Sequence, residues 1–238
     1  MERILDFQIE KLKTRLVKMC SLVDEQVDLA IKAVLENNHD LANIVIENDK
    51  IVDKYDVKIE KLCQKIFALN QPVAMDLRLI MSALTIDNNM ERIGDLAVNL
   101  AEAVLFIKEK QKFFDQTKLV EMTILAREML KDAIDSFIEG NAKLAEKVIQ
   151  SDKQLDQMHY DNHQMLVKIM KESPDNIEPA VTYLVISRHL ERMGDHATNV
   201  AEDVIFIVEA QLVKHQYEKY FFSQQESADG TEPADEDI

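Results

Sequence analysis

The segment Ile86–Ile107, IDNNMERIGDLAVNLAEAVLFI, recurs 100 residues later at Ile186–Ile207 as ISRHLERMGDHATNVAEDVIFI. The two copies are identical at 12 of 22 positions and keep Glu-Arg-x-Gly-Asp in register. Apolar residues recur in each copy at the spacing of one helix face, which predicts two long amphipathic helices. The segment therefore indicates that the chain contains two copies of one helical unit.

Glycine occurs at the same point of both copies. The chain has only four glycines, and two of them, Gly94 and Gly194, occupy equivalent positions of the repeat. Glycine inside a helix costs up to about 1 kcal/mol relative to alanine. Its presence in both copies predicts that another part of the protein packs close to the helix backbone there.

Helical spacing of apolar residues continues along almost the whole chain, and its interruptions predict six helices. The predicted ranges are 4–36, 40–69, 74–112, 117–139, 141–172 and 177–220. Thr117 and Asp175 are candidate N-caps, and Gly140 is a candidate helix stop. We therefore predict an all-α fold, a tandem duplication of a three-helix bundle in which neighbouring helices are antiparallel.

The repeat extends beyond the Glu-Arg-x-Gly-Asp helices. Val27–Asp56 aligns with Leu130–His159 at an offset of 103 residues, with 11 identities in 30 positions. We therefore predict one three-helix bundle over 1–113 and a second over 114–222. Residues 223–238 carry six acidic and no basic side chains, with almost nothing to bury, which predicts a disordered acidic tail.

Charge and hydropathy restrict the classes of partner. A net charge of −16 disfavours binding to nucleic acid or to anionic lipid, and suits cations or a basic protein surface. No stretch reaches 18 uninterrupted apolar residues and the N-terminus is amphipathic, so we expect a cytoplasmic protein that does not span a membrane. Cys20 and Cys63 lack metal-type spacing, which predicts reduced, buried thiols.

Carboxylates line the face of each repeated helix that lies opposite its apolar stripe. At about 100° per residue, Asp95 lies about 40° from Glu91, whereas Leu100 lies about 180° away. Glu191 and Asp195 repeat this arrangement in the second copy. We therefore expect the acids of both copies to point away from the core.

The helix that precedes each copy carries a second acidic face. In the first unit this face consists of Asp49, Asp53, Asp56 and Glu60. The aligned positions of the second unit are Asp152, Asp156, His159 and His163. Converging carboxylates repel one another unless a cation or an arginine neutralises them. Oxygen ligands favour magnesium, manganese or iron, and the two histidines favour iron or zinc in the second unit.

Two other interpretations remain open at this point. An acidic face opposite an apolar one is also the pattern of an ordinary solvated helix. Arg92 and Arg192 could instead pair with the acids and form a structural network without metal. Asn99 and Asn199 are expected to support the acids by hydrogen bonding rather than to bind metal.

Over residues 4–220 the chain resembles the PhoU family, the accessory and regulatory proteins of phosphate transport. The resemblance rests on the two Glu-Arg-x-Gly-Asp copies, the Asp-x-x-x-Asp segments at 49–53 and 152–156, and the stretch QPVAMDLR at 71–78. It implies two three-helix bundles, assembly as a homodimer, and metal clusters at surface acidic motifs. The ligands that it implies are Asp49, Asp53, Glu91 and Asp95 in the first unit, and Asp152, Asp156, Glu191 and Asp195 in the second.

The resemblance also implies a function, the negative control of phosphate uptake and of phosphate-starvation signalling. The implied partners are the ATPase of a phosphate ABC transporter and a phosphate-sensing histidine kinase. The alternative is a carboxylate-bridged metalloenzyme, either a hydrolase or an oxidase. The sequence favours a non-catalytic adaptor, because it has no P-loop and its acids point away from the core without an accompanying Glu-x-x-His.

Overall fold

Six long helices make up nearly all of the computed structural model, which describes residues 4–214. The helices are α1 (Ile4–Glu36), α2 (His39–Asn70), α3 (Ala74–Leu105), α4 (Leu119–Glu139), α5 (Ala142–Glu172) and α6 (Ile177–Glu209). Short 3₁₀ turns at Phe114–Gln116 and Pro174–Asn176 precede α4 and α6, and no strand occurs within 4–214. The all-α prediction is confirmed.

Helices α1–α3 pack as one three-helix bundle and α4–α6 as another, which confirms the predicted tandem architecture. The two Glu-Arg-x-Gly-Asp helices, α3 and α6, pack against each other, and α1 also contacts α4. One cluster of buried apolar side chains runs through both units. Cys20 and Cys63 are buried and free in the first bundle, as predicted.

An ion-pair cluster joins the units where α1 contacts α4. Arg127 of α4 donates to Asp24 of α1 at 2.7 Å and also to Asp28. Asp24 and Arg127 are equivalent positions of the repeat, since they are separated by the offset of 103 residues. Equivalent faces of the two units therefore meet with opposite charges.

The predicted C-terminal end of α3 was wrong, because the helix ends at Leu105, seven residues earlier than expected. The following link buries Ile107, Phe113 and Phe114. The Tyr183 ring of α6 lies 5.8 Å from the Phe113 ring and 5.4 Å from the Phe114 ring. These apolar residues pack the link onto the second bundle. Their spacing in the sequence is compatible with a helix, which is why the prediction continued α3 beyond Leu105.

The predicted end of α6 was also wrong. The helix, predicted over 177–220, ends at Glu209, because Ala210 adopts a left-handed conformation with φ of 59°. Residues 215–238, which include the predicted end of the second bundle and the predicted acidic tail at 223–238, lie outside the described residues.

Helix termini follow the sequence signals only in part. Gly140 ends α4 as predicted, with φ of 62°. The N-cap positions of α4 and α6 are Lys118 and Asn176, one residue after the predicted Thr117 and Asp175. A 3₁₀ turn precedes each helix and shifts its N-cap by one residue. The Thr117 hydroxyl still accepts from the Leu119 N–H at 3.4 Å while it donates to the Phe114 carbonyl, so it caps α4 from one position earlier.

Candidate metal centre

The repeated glycines allow the middle helix and the last helix of each unit to pack closely. A Cβ on Gly194 would meet the Leu155 side chain at a distance that real Cβ atoms do not adopt. A Cβ on Gly94 would lie 3.4 Å from Val52 Cγ1 and 3.4 Å from Gln26 Oε1. Val52 and Leu155 are equivalent positions of the repeat. The prediction of close packing is confirmed at Gly194, whereas at Gly94 a Cβ would be at ordinary contact distance from its neighbours. In both units the middle and last helices pack together at this point, which brings their two acidic faces side by side.

Three carboxylates converge in the second unit. Asp152 and Asp156 of α5 and Asp195 of α6 each offer one oxygen, and these oxygens lie within 4.8 Å of one another. Two oxygens bound to the same Mg²⁺ lie at most about 4.2 Å apart, which is twice the usual bond length. A small inward movement would therefore place three carboxylate ligands on one ion.

Two oxygens at this cluster lack a protein partner. Asp152 Oδ1 and Glu191 Oε2 are buried and have no hydrogen-bond donor. The other Glu191 oxygen accepts from Arg188 Nη1 at 2.9 Å. Buried acceptors without a donor are rare in native proteins. The acids of the second unit therefore fit a cation that takes oxygen ligands, such as Mg²⁺, Mn²⁺ or iron.

The acids of the second unit also raise one another's pKa. Burial raises the pKa of Asp152 to about 6, and the charges of Asp156 and Asp195 add to this effect. Burial and the charge of Asp195 raise the pKa of Glu191. Burial and the charge of Asp156 likewise raise the pKa of Asp195. A bound cation would favour the ionised form of each carboxyl and would reduce the electrostatic repulsion between them.

Protein donors lie beside three of the equivalent acids of the first unit, although Glu91 Oε2, like Glu191 Oε2, is buried without a hydrogen bond. Gln26 Nε2 donates to Asp49 Oδ1 at 3.0 Å. Arg92 lies 3.3 Å from a Glu91 oxygen and 3.1 Å from an Asp95 oxygen. In this unit the arginine network that the sequence left open is therefore present, and it competes with a cation for Glu91 and Asp95.

One substitution within the repeat explains part of the difference between the units. Gln26 is equivalent to Met129, and both side chains contact the repeated glycine. Glutamine donates to Asp49, whereas methionine has no donor for the equivalent Asp152. Asp53 of the first unit is mostly exposed. The small part of it that is buried, together with the charges of Asp49 and Asp95, raises its pKa.

The two histidines predicted as additional ligands differ in their surroundings. His159 Nδ1 lies 2.9 Å from the Ser187 hydroxyl. Burial, with the charge of Arg188, lowers the pKa of His159, so its ring is neutral near pH 7. His163 is exposed one turn further along α5. Their first-unit equivalents are Asp56, which is half-buried, and Glu60, which is exposed.

The predicted supporting residues lie in several places. Asn199 Nδ2 donates at 3.3 Å to Asn89 Oδ1, which also lies 2.9 Å from His196 Nδ1. Asn199 therefore bonds across the contact between α3 and α6 rather than to an acid of its own unit. Asn99 is half-buried, and Arg192 is exposed.

The PhoU domain model matches the chain twice, at residues 16–104 and 119–204. Each match falls on one of the two three-helix units. The chain belongs to the PhoU family. The chain is therefore related to accessory proteins of phosphate transport. This match confirms the resemblance to the PhoU family that the repeated motifs indicate.

Two PhoU relatives illustrate the similarity in sequence. The phosphate-specific transport system accessory protein PhoU homolog of Aquifex aeolicus (strain VF5) is 37% identical over 212 residues, which are 89% of this chain and 96% of the relative. The phosphate-specific transport system accessory protein PhoU of Escherichia coli (strain K12) is 33% identical over 211 residues, 87% of this chain and 86% of the relative.

Solved PhoU structures share the fold. The crystal structure of PhoU from Pseudomonas aeruginosa matches with a TM-score of 0.83 and 32% identity, over 87% of this chain and 99% of that chain. The phosphate transport system regulatory protein PhoU from Streptococcus pneumoniae matches with a TM-score of 0.81 and 30% identity, over 88% of this chain and 99% of that chain. The six-helix architecture is therefore a PhoU fold.

None of the helices within residues 4–214 of this PhoU-family chain combines the length and the apolar character that crossing a bilayer requires.

Three positions that shape the candidate centres were missed in the sequence. They are Gln26, Asp87 and Arg188. A signal existed for two of them, because the repeat pairs Gln26 with Met129 and Asp87 with Ser187. Where one copy has a polar or charged residue and the other copy has a less polar residue at the equivalent position, the polar residue has a role in its own unit only.

A half-buried carboxyl outside the predicted sites lies between the two units. Asp203 of α6 accepts a hydrogen bond from the Thr85 hydroxyl of α3 at 3.2 Å. Burial raises the pKa of Asp203 to about 7, and Thr85 and Lys214 partly oppose this rise. The equivalent residue of the first unit is Ala103, so the interface carries this carboxyl on one side only.

We expect Asp203→Asn to gain stability relative to the wild type as the pH rises from about 5 to about 8. The folded protein holds the Asp203 proton up to a pKa of about 7, whereas the usual value for an aspartate is 3.8. Between these two values the carboxyl is ionised in the unfolded chain and protonated in the folded protein, so a rise in pH favours unfolding of the wild type, and the variant has no such group. The Tm difference between the two proteins, measured in chelator at both pH values, tests this. A difference that does not change with pH would contradict it.

Proposed function

We propose that this protein is a non-catalytic, metal-binding adaptor that restrains phosphate uptake and phosphate-starvation signalling. Its partners in this proposal are the ATPase of a phosphate ABC transporter and a phosphate-sensing histidine kinase. It acts in the cytoplasm as a homodimer. The relatives described as accessory and regulatory proteins of phosphate transport support this role.

One observation carries the metal-binding part of the proposal. The oxygens of Asp152, Asp156 and Asp195 lie within 4.8 Å of one another, while Asp152 and Glu191 each keep a buried oxygen without a donor. An ion held there would join α5 to α6 by their acidic faces. The first-unit acids Asp49, Asp53, Glu91 and Asp95 form the second centre of the proposal, in competition with Gln26 and Arg92.

The position of the centre favours an adaptor over a carboxylate-bridged hydrolase or oxidase. Asp156 and Asp195 are exposed on the outside of the bundle. A di-metal enzyme of the helical-bundle type gathers its ligands inside the bundle, where water is excluded. An exposed centre can instead fix the shape of a surface or contact a partner directly.

Deletion and complementation test the regulatory part of the proposal. We expect deletion of the gene to derepress phosphate-starvation genes in phosphate-rich medium, and we expect the wild-type gene to restore repression. Asp152→Asn/Asp156→Asn/Asp195→Asn should fail to restore it at equal protein level, while Glu47→Gln, which removes an exposed charge from α2, should succeed. If deletion left the expression of phosphate-starvation genes unchanged, the regulatory role would be contradicted. If the triple variant restored full repression, the role of metal in regulation would be contradicted.

Capture of the partners tests the adaptor part. The purified protein, with Mn²⁺ or with EDTA, is incubated with the transporter ATPase and with the kinase. We expect retention of both partners and weaker retention by the triple variant. Failure to retain either partner under both conditions would contradict the adaptor role.

A further inference from the structure

An open apolar groove lies between the two units, at the C-terminal ends of α4 and α6. Its volume is about 340 Å³, and α1 and α3 of the first unit form the opposite wall. The apolar side chains that line it include Val17, Leu79, Phe137, Ile138, Ile207 and Val208. Ile138 is 53% exposed and Val208 is 45% exposed, so the described residues leave much of this surface uncovered. A groove with such walls is a candidate docking site for an apolar segment.

The repeat places equivalent helix ends in the other half of the molecule, and there the chain covers them. Leu35 is the equivalent of Ile138, and Ile107 is the equivalent of Ile207. The link that follows α3 contains Ile107 and crosses to Leu35, whose carbonyl accepts from Lys110 Nζ at 3.3 Å. Ile107 is only 4% exposed, whereas Ile207 is half-buried. A segment that follows the last helix of the first unit therefore covers positions whose equivalents remain open in the second unit.

Two phenylalanines and a lysine hold this link in place. Phe113 and Phe114 are buried, and both rings contact the Tyr183 ring of α6. Lys110 Nζ lies 4.1 Å from the centre of the Phe114 ring. Aromatic side chains bury a large apolar area, and a cation over a ring adds an electrostatic attraction. The elements that fix the link are therefore the Phe-Phe pair and the lysine three residues before it.

The same elements recur in the sequence after α6. The link reads EKQKFFDQ over Glu109–Gln116, and the segment Glu218–Gln224 reads EKYFFSQ. Both begin with Glu-Lys and end with Phe-Phe-x-Gln, and the second is one residue shorter. Residues 217–222 hold two of the five tyrosines and two of the nine phenylalanines of the chain. The repeat therefore extends to the segments that follow α3 and α6, and it predicts the same role for both.

The length of chain beyond the described residues allows this segment to reach the groove. Val208 lines the groove, and Lys214 is the last described residue. Lys214 follows Val208 by six positions, and Phe222 follows Lys214 by eight. The maximum span of a chain grows with the number of its residues. A return to Val208 therefore lies within the reach of Phe222.

We propose that the groove binds the segment Glu218–Gln224 of the same chain, with Phe221 and Phe222 packed against its apolar walls. Lys13 and Glu139 line the groove and offer a charge of each sign to the Glu-Lys pair of the segment. The segment then closes the second unit onto the first, as the link closes the first unit onto the second. This docking goes beyond the proposed function and uses no residue of the metal centres.

A single tryptophan tests the docking, because the chain contains none. Phe222→Trp in the full chain, measured in EDTA, should emit at a shorter wavelength and be quenched less by acrylamide than Phe106→Trp, whose site is 80% exposed. Adding Ile138→Glu or Val208→Glu places a charge in the groove and should shift the emission of Phe222→Trp toward that of Phe106→Trp. Ile124→Glu, at a position of α4 that is 55% exposed and outside the groove, should leave the emission unchanged.

Three other outcomes would overturn the docking. An emission of Phe222→Trp equal to that of Phe106→Trp would show that the segment does not dock. Protection that persists in both groove variants would place the segment elsewhere, and protection that is lost on dilution would assign it to a second copy of the chain. Unchanged helical circular dichroism excludes unfolding as the cause of a shift, since both substituted groove positions are partly exposed. Because the measurement is made without metal, its failure would leave the metal centres and the proposed function untouched.

Discussion

Gly194→Ala is expected to lower the free energy of unfolding by about 1–3 kcal/mol. The new Cβ would enter the space of the Leu155 side chain and would lie 3.4 Å from Met129 Cε. Leu155 is completely buried, so its side chain must change rotamer inside a packed core, or α5 must move away from α6. Urea denaturation, compared with the wild type in midpoint and slope, measures this loss.

The equivalent change in the first unit is the matched control. Gly94→Ala should change the free energy of unfolding by less than about 1 kcal/mol, because alanine is the better helix former. Its Cβ would lie 3.4 Å from Val52 and from Gln26, which is tolerable once either side chain moves slightly. Equal losses in the two variants would contradict a closer contact between α5 and α6 than between α2 and α3.

Mn²⁺ is expected to stabilise the wild type strongly against thermal unfolding, and to stabilise Asp152→Asn/Asp195→Asn much less. An ion that binds only the folded state adds about 2.7 kcal/mol when its free concentration is 100 times its dissociation constant. The variant lacks two of the three converging carboxylates of the second unit, so most of this increment should disappear. The Tm of both proteins in Mn²⁺ and in EDTA gives the comparison.

The order of stability should reverse when metal is removed. In EDTA at about pH 8 the double variant should be more stable than the wild type, since asparagine removes the repulsion that helps raise the pKa of Asp152 to about 6. Glu47→Gln should keep the full response to Mn²⁺. If the double variant responded to Mn²⁺ as the control does, the ion would be screening the net charge of −16 rather than binding at this centre.

Helix periodicity and the repeat were sufficient to predict the fold, because both reflect burial that recurs in every helix of the chain. The predicted ends of α3 and α6 failed where local geometry decides the outcome. Phe113 and Phe114 pack the link against Tyr183, and their spacing alone resembles a helix. Ala210 adopts a left-handed conformation that is typical of glycine and is not expected of alanine.

The candidate site was predictable to the level of helix faces. Spacing on a helix placed Asp152, Asp156 and Asp195 on facing surfaces, and the structure brings them together. Spacing within one helix cannot show what a neighbouring helix contributes. Gln26 reaches Asp49 from α1 and Arg188 reaches Glu191 from one turn away, and each of these contacts changes what its acid can bind.

The two copies therefore differ more than their shared motif indicates. The first unit holds its outer acids with Gln26 and Arg92 and carries an inner carboxyl at Asp87. The second unit leaves Asp152 Oδ1 without a hydrogen bond, although the Thr198 hydroxyl lies close enough to Asp152 to oppose part of the rise in its pKa, and it fills the inner position with a neutral pair. Duplication preserved the fold and the acidic faces, while single substitutions gave each site its own chemistry.

The metal content of the chain tests the central claim most directly, namely that the repeated Glu-Arg-x-Gly-Asp helices build metal centres. Elemental analysis is carried out on protein purified without chelators, as wild type and with Glu191→Gln/Asp195→Asn. We predict that the wild type retains divalent or trivalent metal in at least equimolar amount and that the variant loses about one ion or more per chain. The same sub-stoichiometric metal in both proteins would contradict the claim.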